Sequence, residues 1–132
     1  MSYAMHIHVS LPFEEALTRT REALTASGFG IPTELDTQAV FKSKLGLESE
    51  RRIILGACLP QVAFDALHLD PDIATLLPCN VVVREVKGGT DISAIRPTAL
   101  LSLSPTLPPT AAQDVEDSLA RVLDRLLRSS HP

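Results

Sequence analysis

Tryptophan is absent from this chain, tyrosine occurs once and phenylalanine four times. So few rings cannot dominate a core, which must instead be assembled from Leu, Ile, Val and Ala. Cysteine is scarcer still, with only Cys58 and Cys79 among 132 residues. Two cysteines do not make the disulfide framework of a small secreted scaffold. A basic excess is also missing: 12 Lys and Arg stand against 16 Asp and Glu, a net charge of −4. This argues against nucleic acid as a partner, because backbone binding depends on clustered cations. No apolar run approaches the roughly 18 residues of a membrane span. Residues 1–10 carry no Lys or Arg and alternate polar with apolar, unlike a signal peptide. The expected compartment is therefore the cytoplasm, with both thiols reduced and no membrane contact.

Catalytic signatures are missing too. The chain has no HExxH, CxxC or GxSxG pattern, and so no zinc-protease, dithiol or nucleophile-elbow signal. Gly28-Phe29-Gly30 lacks the third glycine and the strand-before-helix order of a dinucleotide loop. No catalytic residue and no metal ligand is assigned, no cofactor is indicated, and the reading points away from an enzyme.

What is present is clear periodicity. Residues 3–9 alternate, with Met5, Ile7 and Val9 on one face and His6 and His8 on the other. Pro12 suits the first turn of a helix in which Phe13, Leu17, Thr20 and Leu24 recur at helical spacing. Glu15 and Arg19 can pair along it, and Gly28 ends it. Residues 29–35 read as a strand whose Pro32 requires an edge or a bulge. Asp36 is placed to cap a short helix over 37–45, which Gly46 terminates.

Residues 52–58 form a compact apolar strand. Residues 60–69 are helical in pattern, and a second short helix covers 72–77. Residues 79–86 give the strongest strand signal, because three successive valines stiffen the chain in extended form. Gly88-Gly89 signals a hairpin to a strand over 90–95. Simple two-residue pairing around those glycines would set Glu85 against Ile92 and mix the faces, so a longer turn or a bulge is expected. Residues 96–113 are Pro-rich but too leucine-rich for a free linker, and should pack across the core. The last helix, about 111–127, carries Val115, Leu119, Val122, Leu123 and Leu126 as one stripe.

The order β-α-β-α-β-α-β-β-α, with a tight hairpin, does not suit a pure βαβ ladder. It fits an α+β fold: one domain over 1–132, a two-layer sandwich with a mixed or mostly antiparallel sheet of about five strands and helices on one face.

Several segments together carry a resemblance: GFGIPTELD at 28–36, KSKLG at 42–46, ILGACLP at 54–60, LLPCNVVV at 76–83, then the GGT hairpin and Ile95-Arg96-Pro97. In this order they resemble the domain-of-unknown-function family DUF302, over nearly the whole chain. The resemblance implies a small two-layer α/β domain, a homodimer, and no established activity. Members often carry Asn-Pro after the first cysteine. Here Leu59-Pro60 stands there and offers no polar group.

Three residues are candidate ligand-binding groups: Cys58, Cys79 and Asn80. Cys58 closes one apolar strand and Cys79 opens another. As buried thiols they would be small hydrophobes; as a pair in one pocket they would hold a ligand, haem or metal, or do redox work. The spacing favours two separate core thiols. The Asn80 amide can serve a small polar ligand. His6 and His8 read as a solvent-facing pair more readily than as metal ligands, His68 decorates a helix end, and His131 lies in a tail. The resulting expectation is a homodimeric binding or interaction module, with a thiol-dependent ligand, haem, metal or redox protein as the alternative.

Overall fold

The computed structural model describes residues 2–130, so His131 lies outside the described residues. The elements run β1 (Ala4–Val9), α1 (Phe13–Ala26), β2 (Gly30–Asp36), α2 (Thr37–Leu45), β3 (Arg52–Cys58), α3 (Pro60–Leu69), a 3-10 helix (Pro71–Leu76), β4 (Cys79–Val86), β5 (Gly89–Ile95), α4 (Pro97–Leu101) and α5 (Pro109–Ser129). The strands make one sheet in the order β1-β5-β4-β3-β2, and every pairing is antiparallel. The fold is α+β. The sheet needs no parallel pair, because chain neighbours β3 and β4 are antiparallel despite the helices between them.

Alternation decides which face each strand buries. Ile53, Leu55 and Ala57 of β3, Val81 and Val83 of β4, and Ile92 and Ala94 of β5 are buried on one side. They meet Phe13, Ala16, Leu17 and Leu24 of α1 and Val115, Leu119, Val122, Leu123 and Leu126 of α5 in one core. Burying each such leucine contributes roughly 2 kcal/mol. The intervening strand positions, among them Asn80, Val82, Arg84, Ser93 and Ile54, face the other way.

Local signals act where the residue pattern places them. The Asp36 carboxylate accepts from the Ala39 amide at 3.0 Å, and Gly46 closes α2 at φ 67°. Arg19 pairs with Glu15 at 2.7 Å. Edge strand β2 shifts register between Gly30 and Thr33, around Pro32, which has no N–H to give to a ladder. His68 lies in the last turn of α3 and donates from Nδ1 to the Phe64 carbonyl (2.8 Å).

The hairpin corrects the expectation of a longer turn or bulge. Val86 pairs with Gly89, so the turn holds only Lys87 and Gly88. Moving the turn back one residue sets Val83 against Ile92 and Glu85 against Thr90. Both apolar partners then share the core face. Gly88 takes φ +85° and Gly89 φ +150°, and a side chain at Gly89 would also collide with the Val9 carbonyl oxygen. Of the two turn residues it is Gly88 that takes the left-handed conformation, which a glycine adopts without steric cost, while Gly89 already belongs to β5.

The leucine-rich connector packs as expected. Ile73, Leu101, Ala112 and Ala66 form a second, smaller core at the Cys79 end of the sheet. The Glu116 carboxylate on α5 anchors this segment. It accepts from the Thr98 amide at 3.1 Å and the Thr98 hydroxyl at 2.6 Å, and pairs with Arg96 at 3.5 Å. Asp70 accepts from Ser104 at 2.6 Å.

Candidate functional site

The three candidate residues divide between the two faces of the sheet. In the register of β3 and β4, Ala57 lies opposite Cys79 and Gly56 opposite Asn80. Cys79 therefore points to the helical side and Asn80 to the open side. Cys58, the last residue of β3, is half-buried, and both thiols are free.

Cys58 and Cys79 line the same small cavity, about 30 Å³ in volume, between the sheet end, α3, the 3-10 helix and α5. This corrects the expectation of two separate core thiols. The helical excursion between β3 and β4 returns the chain antiparallel beside its starting strand, so the end of one strand meets the start of the next. The walls are apolar, with Phe29, Val62, Ala66, Ile73 and Leu107 among them. A water needs roughly 10–15 Å³ and two or more polar partners. The volume admits one or two waters, but these walls give them little to bond.

The electrostatics match. Burial pushes the Cys79 thiol up from 9.0 to about 11, with the neighbouring Cys58 adding to the rise. Burial also raises Cys58. A thiolate is the nucleophile and the metal ligand, and it forms where positive charge lowers the pKa. Here the shifts run the other way, so both sulfurs behave as small hydrophobes at neutral pH.

Asn80 belongs to a different place. It lines a groove of about 430 Å³ on the open face, over β4, β5 and β1. Val82, Ile95 and Ala4 supply its floor, Ser93 and Tyr3 join Asn80 as polar groups, and Leu76, Leu77, Pro78 and Leu100 wall the end. Gly56 makes the wall possible, since a Cβ there would run into the Pro78 ring and the Thr33 hydroxyl. Ser93, Val82 and Tyr3 had not been singled out in the sequence. Their signal was strand parity, which becomes readable only once the hairpin register sets Val82 against Ser93.

Toward the hairpin the same face turns ionic. His8 Nδ1 lies 2.8 Å from Asp91, Arg84 donates to Asp91 at 3.2 Å and approaches Glu50 at 3.4 Å, and Arg52 donates to Glu50 at 2.5 Å. Arg84 of β4 and Arg52 of β3 stand directly opposite each other, bridged by Glu50 just before β3, and Asp91 of β5 holds Arg84 from the other side. His6 is exposed, opposite Ser93. Among the described residues, no three His, Cys, Asp or Glu side chains converge as a metal site would require. No described helix is long and apolar enough to cross a membrane.

Comparison with known proteins gives a consistent result. No curated protein matches the sequence. The crystal structure of an uncharacterized conserved DUF302 protein from Bacillus stearothermophilus is similar at a TM-score of 0.86 and 32% identity, covering 96% of this chain and 99% of that one. The family model for the domain of unknown function DUF302 matches residues 5–126, which take in every strand but the first residue of β1. The chain belongs to the DUF302 family.

Proposed function

We propose that this protein is a binding or interaction module that works as a homodimer, and that α2 with the neighbouring half of the open sheet face forms the self-association surface. One observation carries the reading. The nine residues of α2 bury only Thr37, while Val40, Phe41, Leu45 and the following Leu47 remain 40%, 37%, 63% and 58% exposed. A helix this short is marginal in isolation and depends on tertiary packing. Within one chain, α2 packs chiefly against β3. Exposed Leu35 and half-buried Ile54 continue the apolar surface across β2 and β3. A two-fold axis would set this surface against its own copy, the commonest way to cover such a patch.

Size-exclusion chromatography with light scattering tests this. The wild type should run at twice the 14.3 kDa chain mass. Phe41→Glu with Leu45→Glu should run at one chain mass with an unchanged circular dichroism spectrum. A monomeric wild type at about 100 µM, far above the Kd of stable dimers, would refute it.

The thiol-dependent alternative has the shared cavity in its favour. The upward shift of both thiols weighs against haem, metal or redox work there. Cytoplasmic residence fits two unpaired cysteines.

A further inference from the structure

We propose that the groove over β4, β5 and β1 is a small-molecule site, and that it takes an uncharged molecule with an apolar body and one amide-like edge. The groove's volume, about 430 Å³, lies within the roughly 300–1,000 Å³ typical of ligand sites. A single chain forms it, so it deepens the binding half of the functional reading and does not rest on self-association.

The lining sets the chemistry. None of its side chains is charged. The nearest charges on the face, Asp91, Arg84, Glu50 and Arg52, are committed to one another in the ladder toward the hairpin. An ionic ligand would lose its water and find no counter-charge, which is costly. An uncharged one meets the side chains of Val82, Ile95 and Leu100.

Two polar groups then fix orientation. Asn80 on β4 and Ser93 on β5 point to the same face. Val82 stands opposite Ser93, so Asn80, two residues before Val82, is the diagonal neighbour of Ser93. Diagonal neighbours lie about 7–8 Å apart, a span that a planar amide or lactam edge can bridge. Of the four polar side chains in the lining, Tyr3 is 72% exposed and Thr75 already donates to the Asp72 carbonyl, whereas among the described residues neither the Asn80 amide nor the Ser93 hydroxyl is engaged in a hydrogen bond. Asn80 and Ser93 each both donate and accept. An amide edge complements the pair by accepting through its carbonyl and donating through its N–H; a carboxylate or an ammonium can bond the same two groups, so it is the uncharged lining that excludes the ions.

Benzamide, benzoate and benzylammonium share one ring and differ in that edge, so they separate the possibilities. Each is titrated to about 10 mM into ¹⁵N-labelled full-length protein while amide resonances are followed, since millimolar affinity is the scale for so small a ligand. Benzamide should give saturable shifts at Val82, Ser93 and Ile95, and benzoate should give none. Asn80→Leu should weaken benzamide about tenfold, the loss of one net hydrogen bond. The near-isosteric Asn80→Asp should abolish benzamide binding and admit benzylammonium. Equal binding of benzoate, no saturable shift with benzamide, or shifts confined to the Cys58–Cys79 cavity would each overturn the proposal. None of these results alters the mass measured by light scattering, so failure here and failure of the dimer are distinguishable.

Discussion

Raising the pH through the range between the ordinary and the native thiol pKa should weaken the fold by a calculable amount. Cys79 titrates at 9.0 when unburied and at about 11 in the native protein. Below pH 9 both states hold the proton, and the group contributes no pH dependence. Between 9 and 11 the unfolded chain releases the proton while the native chain retains it. The unfolded state then binds fewer protons, so stability falls as pH rises. The slope approaches 1.4 kcal/mol per unit, which gives a loss of about 1.4 kcal/mol at pH 10 from this residue alone. Cys58, also raised, acts in the same direction. Urea unfolding of wild type and Cys79→Ala, each at about pH 8 and pH 10, isolates the effect. All other side chains are common to the two proteins, so the difference between the two pH dependences belongs to the thiol. The alanine variant should start less stable, because it enlarges the cavity, and should lose about 1.4 kcal/mol less on going to pH 10. Identical pH dependences would refute the burial of Cys79 and the argument against a thiolate with it. A thiol reagent at about pH 8 gives a second check: Cys58 should react slowly and Cys79 only after denaturation.

Two further predictions concern the scaffold. Glu116→Ala should cost about 2–3 kcal/mol, because Thr98 and Arg96 lose their shared acceptor, whereas Glu116→Gln, which keeps an acceptor, should cost less; urea unfolding measures both, and equal losses would contradict the role of Glu116 as an acceptor that a neutral amide can replace. Gly89→Ala should cost about 2 kcal/mol or more, since it combines a positive φ with a collision at the Val9 carbonyl; a loss below about 0.5 kcal/mol in the same assay would show that the two-residue turn can relax.

Much of the fold was legible because local signals and burial agreed. Asp36 and Gly46 bracket α2 through a cap and a left-handed residue, and both act within a few residues. The valines of β4 announce a strand whatever their neighbours are. The register of the hairpin was harder, because two adjacent glycines permit a turn centred one residue either way. Only the long-range pairing of β5 with β1, Ile92 against Ile7, decides between them. The thiol pair depended on the same kind of information. Twenty residues separate Cys58 from Cys79, 10 of them in α3 and 6 in the 3-10 helix, and their periodicity is the same whether the chain returns antiparallel beside β3 or crosses to a parallel position. The shared cavity is a consequence of topology, and periodicity alone does not encode it.

That topology also explains why the chemically interesting side chain is Asn80 and not the cysteine beside it. Neighbouring strand residues point to opposite faces, so Cys79 and Asn80 inherit opposite environments from a single backbone step. On the helical side, close packing leaves a cavity of about 30 Å³, and desolvation drives the thiol toward its neutral form. On the open side, Gly56 lets Pro78 lie directly on the sheet, and the wall it helps to make gives the flat face a concave end. A residue with a Cβ at position 56 would lift that wall while changing nothing in the core behind it. The groove therefore owes its depth to a missing side chain one strand away from Asn80, and its neutrality to the pairing of Asp91, Arg84, Glu50 and Arg52 among themselves. Both conditions must hold for an amide-like edge to be preferred over an ion, and each lies outside the residues that would touch the ligand's polar edge.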